Sequence, residues 1–398
     1  MNQQMAISSR TTGQTPSQEL LRALKTMHGD MLALTRQMVE CESPSFNKAA
    51  VDALVTIVAA EFEKLGGRIR RHKQRAFGDV LEVRFNGDSS GALRRKPLLL
   101  LGHLDTVYDL GTLGSMPVRE DGGKLYGPGV FDMKAGVVQM LFAIRALQQV
   151  RGRLQRPLLV LLNPDEEVGS KASRVITEKL AAKCEAVLVF EPAAGTRGAC
   201  KTARKGVGDY KLCVTGRAAH AGLDFQKGSS AILELARQLT EIEKFTDVSR
   251  GVTVNPGVIR GGTRTNVVAE SAEAFIDVRV TGVKDAHDLD RKFRRLKPFD
   301  RNCRLEITGG LNRAPFERTK AVAALYGKAK SLAAEIGFDL DEVSVGGGSD
   351  GNLTAALGIP TLDGLGAVGD GAHAAHEHIV LAEMPRRSAL AARLIETL

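Results

Sequence analysis

Four short apolar runs constrain this chain most: DVLEVRF (79–85), PLLLLGH (97–103), PLLVLLN (157–163) and AVLVFE (186–191). Most are unbroken rather than alternating, the pattern of strands buried on both faces. Stretches with helical spacing separate the later ones, MKAGVVQMLFAIRALQQV (133–150) and SKASRVITEKLAAK (170–183). Strand alternating with helix implies an α/β sheet flanked by helices. Two helices are expected ahead of the first run. One covers 17–40 with Ser17 as its N-cap; the other covers 47–67, with Asn47 capping it and Gly66 ending it. Residues 1–16 read as a loose tail.

The rhythm changes near residue 207. VGDYKLCVTG alternates like a half-exposed strand, and a helix (228–246), the strands GVTVNPGVI and AEAFIDVRV, a helix (284–296) and the strand CRLEITG follow. That order is β-α-β-β-α-β, the ferredoxin-like arrangement. The α/β rhythm resumes after 316, with helices at 318–336, 349–357 and 384–397 and strands at 339–345 and 360–365. Residues 207–315 therefore read as a domain inserted into another built from 17–206 and 316–398. A length of 398 residues suits such a division at roughly 150 residues per domain.

The formal charge of +9 raises nucleic acid, an acidic membrane surface or an anionic small molecule as partners. The densest basic runs, RIRRHKQR and KFRRLK, are short and lack interleaved aromatics, and Tyr and Trp together number four. Such a chain has little with which to stack bases, so no nucleic-acid partner is expected. No stretch approaches the ~18 apolar residues of a membrane span, and the polar N-terminus lacks the apolar run of a signal peptide. Cys41, Cys184, Cys200, Cys213 and Cys303 are scattered and form no CxxC pair, which suits reduced thiols in a cytoplasmic protein.

Acidic residues and histidines collect where the buried runs end. LLLLGHLDTV ends in His103 and Asp105, LYGPGVFDMKAG places Asp132 before a helix, LVLLNPDEEVGS ends in Asp165, Glu166 and Glu167, and AVLVFEP ends in Glu191. DGLGAVGDGAHAAHEHI follows the last strand. Ligand sites of open α/β sheets lie at these strand ends. Each position has an ordinary explanation when taken singly: a loop histidine, a helix cap, a surface Glu pair, a turn before proline. Jointly they point to a metal, because charged groups gathered in a fold are costly unless paired or metal-bound. Nitrogen and oxygen donors without a thiolate suit zinc, cobalt or manganese, with zinc favoured by availability. The ligand count exceeds what one tetrahedral ion needs and fits two ions sharing a carboxylate. Asp105 is placed to hold the other N–H of His103. Glu166 and Glu167 are adjacent, so their side chains diverge; one can bind metal while the other stays free as a general base.

GAHAAHEHI (371–379) holds three of the chain's eight histidines, yet it is no metal motif by itself. HExxH from His376 would need a histidine where Val380 stands, and HxxEH from His373 would need a glutamate where His376 stands.

Together GHLDTV, GPGVFDMKAG, PDEEVGS and GRAAHAG resemble the motifs of the aminoacylase, carboxypeptidase G and succinyl-diaminopimelate desuccinylase family of dinuclear zinc hydrolases. The resemblance runs from about residue 37 to the end and, in order and lengths, is greatest to the family's glutamate carboxypeptidases. It implies an α/β fold: a mixed-sheet catalytic domain with an inserted ferredoxin-like domain serving as lid and dimerisation domain. It implies two zinc ions per subunit, with His103 and Glu191 on one, Glu167 and His373 on the other, and Asp132 bridging. Glu166 becomes the general base, a cis peptide is expected at Asp132–Met133, and His373 is the ligand that lies four residues before Glu377. His376 and His378 fall outside the ligand set and are expected at a helix start or on the surface. His220 in GRAAHAG matches a histidine that crosses a homodimer to stabilise the oxyanion in the partner's site. Asn266 (TRTNVV) and Arg313 (NRAPF) match positions that hold the substrate's carboxylate, with Arg279 (DVRV) a further candidate and the GGGSDG loop, including Gly348, beside the substrate. The implied reaction is hydrolysis of an N-acyl or peptidyl amino acid, in particular one ending in glutamate. An N-acyl amino acid deacylase of the acetylornithine type and a catalytically silent binding relative are the alternatives.

Overall fold

The computed structural model describes residues 15–87 and 95–398. The loose tail expected over 1–16 lies outside the described residues except for Thr15 and Pro16, which start a helix. Thr15, not Ser17, is its N-cap: the Thr15 hydroxyl accepts from the Gln18 amide, and Pro16 takes the first turn, where its missing N–H is harmless. Ser17 is fully buried, and its hydroxyl donates to Glu335.

The helix expected over 17–40 is two, α1 (Pro16–Thr26) and α2 (His28–Glu40), broken at Met27. Thr26 and Gly29 flank the break and are weak helix formers. Next come α3 (Lys48–Lys64), capped by Asn47 as expected, and strands β1 (Arg68–His72), β2 (Val80–Phe85) and β3 (Leu98–His103). The basic run RIRRHKQR is therefore largely an edge strand, with Arg68 and Arg70 exposed on one face and Arg71 on the other. A hairpin, β4 (Arg119–Asp121) and β5 (Lys124–Tyr126), precedes α4 (Ala135–Arg151). Strand β6 (Leu158–Asn163), α5 (Arg174–Ala181), β7 (Ala186–Val189) and β8 (Cys200–Arg204) follow.

Residues 206–313 form β9 (Gly206–Thr215), α6 (Ala231–Glu243), β10 (Thr253–Gly261), β11 (Ser271–Val280), α7 (Val283–Arg295) and β12 (Arg304–Arg313). The chain then returns through α8 (Lys320–Ile336), β13 (Glu342–Val345), α9 (Asp350–Ala356), β14 (Thr361–Leu362), β15 (Gly369–Asp370), β16 (His378–Val380) and α10 (Glu383–Thr397).

The fold is α/β. Its main sheet has the order β1-β2-β6-β3-β7-β14 and is mixed: β6, β3, β7 and β14 run parallel, while β2 and β1 add antiparallel. Every residue of β3 and β6 is buried, which accounts for their unbroken apolar sequences. Helices α1, α2, α4, α8 and α10 share one large core with this sheet. Strand β14 is shorter than the expected 360–365 because Asp363 leaves to bridge Lys201, and Gly364 turns the chain with φ +74°.

The four strands β10-β11-β9-β12 make an antiparallel sheet with its own core, in which Tyr210 stacks on Phe293 with ring centroids 3.9 Å apart. Strand β12 runs four residues past the expected end and so carries Arg313 to the mouth of the main sheet. Strand β10 is an edge, bulged after Pro256, with Val258 and Ile259 exposed. Among the described residues no helix is long and apolar enough to cross a membrane.

Candidate metal centre and active site

The parallel strands β3, β6 and β7 deliver their C-terminal ends side by side. His103 is the last residue of β3. Glu166 and Glu167 lie in a short 3-10 turn after β6, and Glu191 lies two residues beyond β7. Asp132 sits just ahead of α4, past the left-handed Gly129, and its peptide bond to Met133 is cis. His373 occupies the turn between β15 and β16 with φ +62°, unusual for a residue with a Cβ.

These residues form two clusters that share Asp132. His103 Nε2 lies 3.2 Å from Asp132 Oδ1 and 3.5 Å from Glu191 Oε1. His373 Nε2 lies 3.5 Å from Asp132 Oδ2 and 3.1 Å from Glu167 Oε2. Asp132 thus turns one oxygen to each histidine. Within each of the two triads one ligand atom per residue lies within 4.8 Å of the others, compatible with ligands placed ~2.0–2.2 Å around a common ion. The first triad is enclosed, whereas His373 is half exposed, which leaves the second open to solvent.

The electrostatics favour a cation. Burial, with Asp132 beside it, raises the Glu191 carboxyl to about 7, and burial raises Glu167 as well. Burial alone would depress His103, but Asp105 and Asp132 lift it well above its ordinary range. Contacts with Asp132 and Glu167 hold His373 at about 10. The negative charge of three converging carboxylates favours protons on the two imidazoles and on the carboxylates themselves, and a divalent ion would offset that charge in the same way. The donor set fits a pair of such ions.

The surroundings hold the candidate ligands in place. His103 Nδ1 donates to the Asp105 carbonyl at 3.0 Å, which leaves the Nε2 lone pair facing the cluster. The Asp105 carboxylate also accepts from the amides of Glu166 and Glu167 at 3.1 and 3.2 Å and from Ser45 at 2.7 Å, so one buried side chain orients a ligand and the acidic turn together. Arg204 holds Glu191 Oε2 at 3.4 Å and pairs with Asp363. Glu377 lies outside both triads. It is fully buried and accepts from the amides of Gly129, Phe131 and Asp132 at 2.8–2.9 Å and from the Tyr108 hydroxyl, tying the His373 turn to the Asp132 loop.

Glu166 stands apart from both triads, nearly buried, with Oε1 2.8 Å from Arg313 Nη2. Burial raises its pKa well above the ordinary carboxylate range, although Arg313 works against that. The Arg313 Nη2 also reaches Ser170 Oγ at 2.8 Å and Asp350 Oδ1 at 3.1 Å, so this nitrogen of the group expected at a substrate carboxylate is engaged by protein acceptors, while its Nε has no partner among the described residues. Arg279 pairs with Asp277 on its own strand. A Cβ on Gly348 would meet Arg313 at 3.3 Å and Val207 at 2.9 Å. Val207 pairs with both Arg279 and Arg313, so Arg279, Arg313 and Gly348 gather at one end of the smaller sheet.

His220 and Asn266 lie at the other end. His220 bridges Val267, beyond the pairing of Thr215 with Ser271, and both side chains are exposed. Eight residues of strand separate that pairing from Val207, roughly 26 Å at 3.3 Å per residue. His220 Nδ1 accepts from the amides of Gly222 and Leu223, which leaves its proton on Nε2. His378 differs from its expected place. It is buried in β16 against Tyr126, its Nδ1 bonded to the His376 carbonyl, while His376 is exposed. The roles of Arg204, Asp350 and Glu377 escape a reading of the sequence; the one hint is the SDG step that starts α9.

A model of peptidase family M20/M25/M40 matches residues 99–397. Carboxypeptidase G2 of Pseudomonas sp. (strain RS-16) is 29% identical over 367 residues, 90% of this chain and 87% of that one. Acetylornithine deacetylase of Myxococcus xanthus is 29% identical over 263 residues, 62% of this chain and 66% of that one. In fold, the aminopeptidase PepT of Bacillus cereus ATCC 10987 superposes with a TM-score of 0.77 at 21% identity, covering 93% of this chain and 98% of that one.

Proposed function

We propose that this chain, which belongs to peptidase family M20/M25/M40, is a dinuclear zinc enzyme that cleaves the amide bond of an N-acyl or peptidyl amino acid, with a released residue of the glutamate type. That it is a metallo-hydrolase acting on amide bonds follows from the family. The observation that carries the finer reading is the shared Asp132, one oxygen to each of two histidine–carboxylate pairs, beside a separately held Glu166. His103, Asp132 and Glu191 would hold one ion and Asp132, Glu167 and His373 the other. Zinc there would acidify a water to near pH 7 and polarise the scissile carbonyl; cobalt or manganese could substitute.

Glu166 takes the water's proton and later gives it to the leaving nitrogen, a task suited to a carboxylate whose pKa burial has raised. Asp105 keeps the His103 ring and the Glu166 turn in place. His220 offers an Nε2–H to the oxyanion. Because it sits at the far end of the smaller sheet, it serves the site of a second copy in a homodimer, and Asn266 beside it does the same for the substrate's carboxylate. The exposed edge strand β10, with Ile232 and Leu233 exposed on α6, suits such pairing. At the near end Arg279 can exchange Asp277 for a substrate carboxylate next to the Gly348 loop. Substrate selection by carboxylate suits a chain of net charge +9. The partners are thus a small N-acyl or peptidyl amino acid and a second copy, without nucleic acid or membrane, and a cytoplasmic location suits five unpaired cysteines.

The similarity to carboxypeptidase G2 over 90% of the chain favours the glutamate reading over the acetylornithine type, which matches 62%. Turnover of N-acyl glutamates against N-acetylated basic amino acids separates the two. The mechanism is tested by Glu166→Gln, which should retain two metals per chain and lose at least about 10²-fold in kcat, the scale of a lost general base. Retained turnover sinks the assignment.

A further inference from the structure

Arg313 ends β12, the last strand of the smaller sheet, and Asp350 opens α9 in the main domain. Both side chains are buried, and their contacts converge on the turn that carries Glu166. Arg313 Nη2 donates to the Glu166 carbonyl at 3.1 Å, to Glu166 Oε1 at 2.8 Å, to Ser170 Oγ at 2.8 Å and to Asp350 Oδ1 at 3.1 Å. Asp350 also accepts from the Ser170 hydroxyl through Oδ1 and, through Oδ2, from Asn163 Nδ2 at 2.6 Å at the end of β6. Ser170 is left-handed, φ +55°, a conformation that needs local support in a residue with a Cβ. Its hydroxyl supplies that support by meeting both Asp350 and Arg313. Asn312 donates to the Gly169 carbonyl and accepts, through its own carbonyl, from Arg174 at 2.6 Å, so the end of β12 is stitched to the same turn by its neighbour too.

We infer that Asp350 and Arg313 are positioning residues for Glu166: Asp350 fixes the guanidinium, and the guanidinium fixes both the backbone and the carboxylate of the general base. Because Arg313 belongs to the smaller sheet, its contacts link the placement of that sheet to the aim of Glu166. The inference rests on the general-base reading of Glu166. It differs from the carboxylate-binding role that the resemblance gives Arg313, since Nη2 is held by Glu166, Ser170 and Asp350 and a substrate could claim that nitrogen only by displacing them, which leaves the other guanidinium nitrogens for any such contact. A misplaced base costs turnover rather than ground-state binding.

The experiment measures kcat, KM and bound metal for Asp350→Asn and Arg313→Lys, alone and in the Glu166→Gln background, with the zinc-loaded enzyme and an N-acyl glutamate. Each single substitution should lower kcat by about 10- to 100-fold, leave KM within about threefold and keep both metals. In the Glu166→Gln background neither should lower the residual turnover further. A KM rise at unchanged kcat would return Arg313 to the substrate's carboxylate, and a loss that persists without Glu166 would make the pair merely structural; either overturns the inference. If Asp350→Asn does not fold, Ser170→Ala removes the hydroxyl between the two residues and should show the same pattern more weakly; an unchanged kcat there counts against the pair. Failure of the general-base reading looks different, because Glu166→Gln alone would then remain active.

Discussion

At the scale of residues the centre turns on Asp132, whose two oxygens face different histidines. Replacing it by alanine should empty both sites, while His373→Ala should empty only the solvent-facing one, because His103 and Glu191 remain. Metal content after dialysis should fall from two ions per chain to none and to one, respectively; equal losses in both variants would mean the clusters are not separable in this way. Four of the five candidate ligands, His103, Asp132, Glu167 and Glu191, stand out in the sequence because each closely follows a buried strand or precedes a helix, where a charged group demands an explanation; His373, in a turn, is singled out only by the resemblance. The resemblance marks Glu377 by its spacing from His373, but its role is not legible, since only the fold brings three amides and a tyrosine to it. The identity of Arg313 as a guanidinium near the site can be read in NRAPF, but its partners at Glu166 and Asp350 are far off in the chain.

Among the elements, the join between α3 and the β1–β2 edge depends on Asp79. It accepts from Lys48 and Lys73 and from the Gln74 amide, and its own amide donates to Asp52. Burial raises its carboxyl, but these contacts prevail and hold it down at about 2. Because the folded pKa is depressed, the stabilisation is complete above the ordinary Asp value near 4 and is lost as pH falls through about 2. Asp79→Asn should therefore cost about 1–2 kcal/mol at pH 7 by urea unfolding, and the difference from wild type should shrink below pH 4; a constant difference would place the effect elsewhere. Helices such as α3 and α10, with their helical spacing, and strands such as β3 and β6, with their unbroken apolar runs, can be read from sequence because burial imposes their patterns. Strands of two to five residues such as β1, β4, β5, β15 and β16 cannot, because they are too short or too charged to show a period. The break at Met27 escapes for a related reason: both halves keep helical spacing.

For the whole molecule, the far placement of His220 predicts complementation. Glu166→Gln and His220→Ala should each be inactive alone. Mixed and re-paired, they should recover about a quarter of wild-type sites, the share expected from random two-fold pairing with one intact site per mixed dimer; no recovery would mean that His220 does not act across an interface. Both the complementation and the role of Glu166 presuppose the paired metal centre. Anomalous diffraction at the zinc edge from crystals grown with zinc tests that centre most directly. It should give two peaks per chain, one among His103, Asp132 and Glu191 and one among Asp132, Glu167 and His373. A single peak, or peaks away from Asp132, would contradict it.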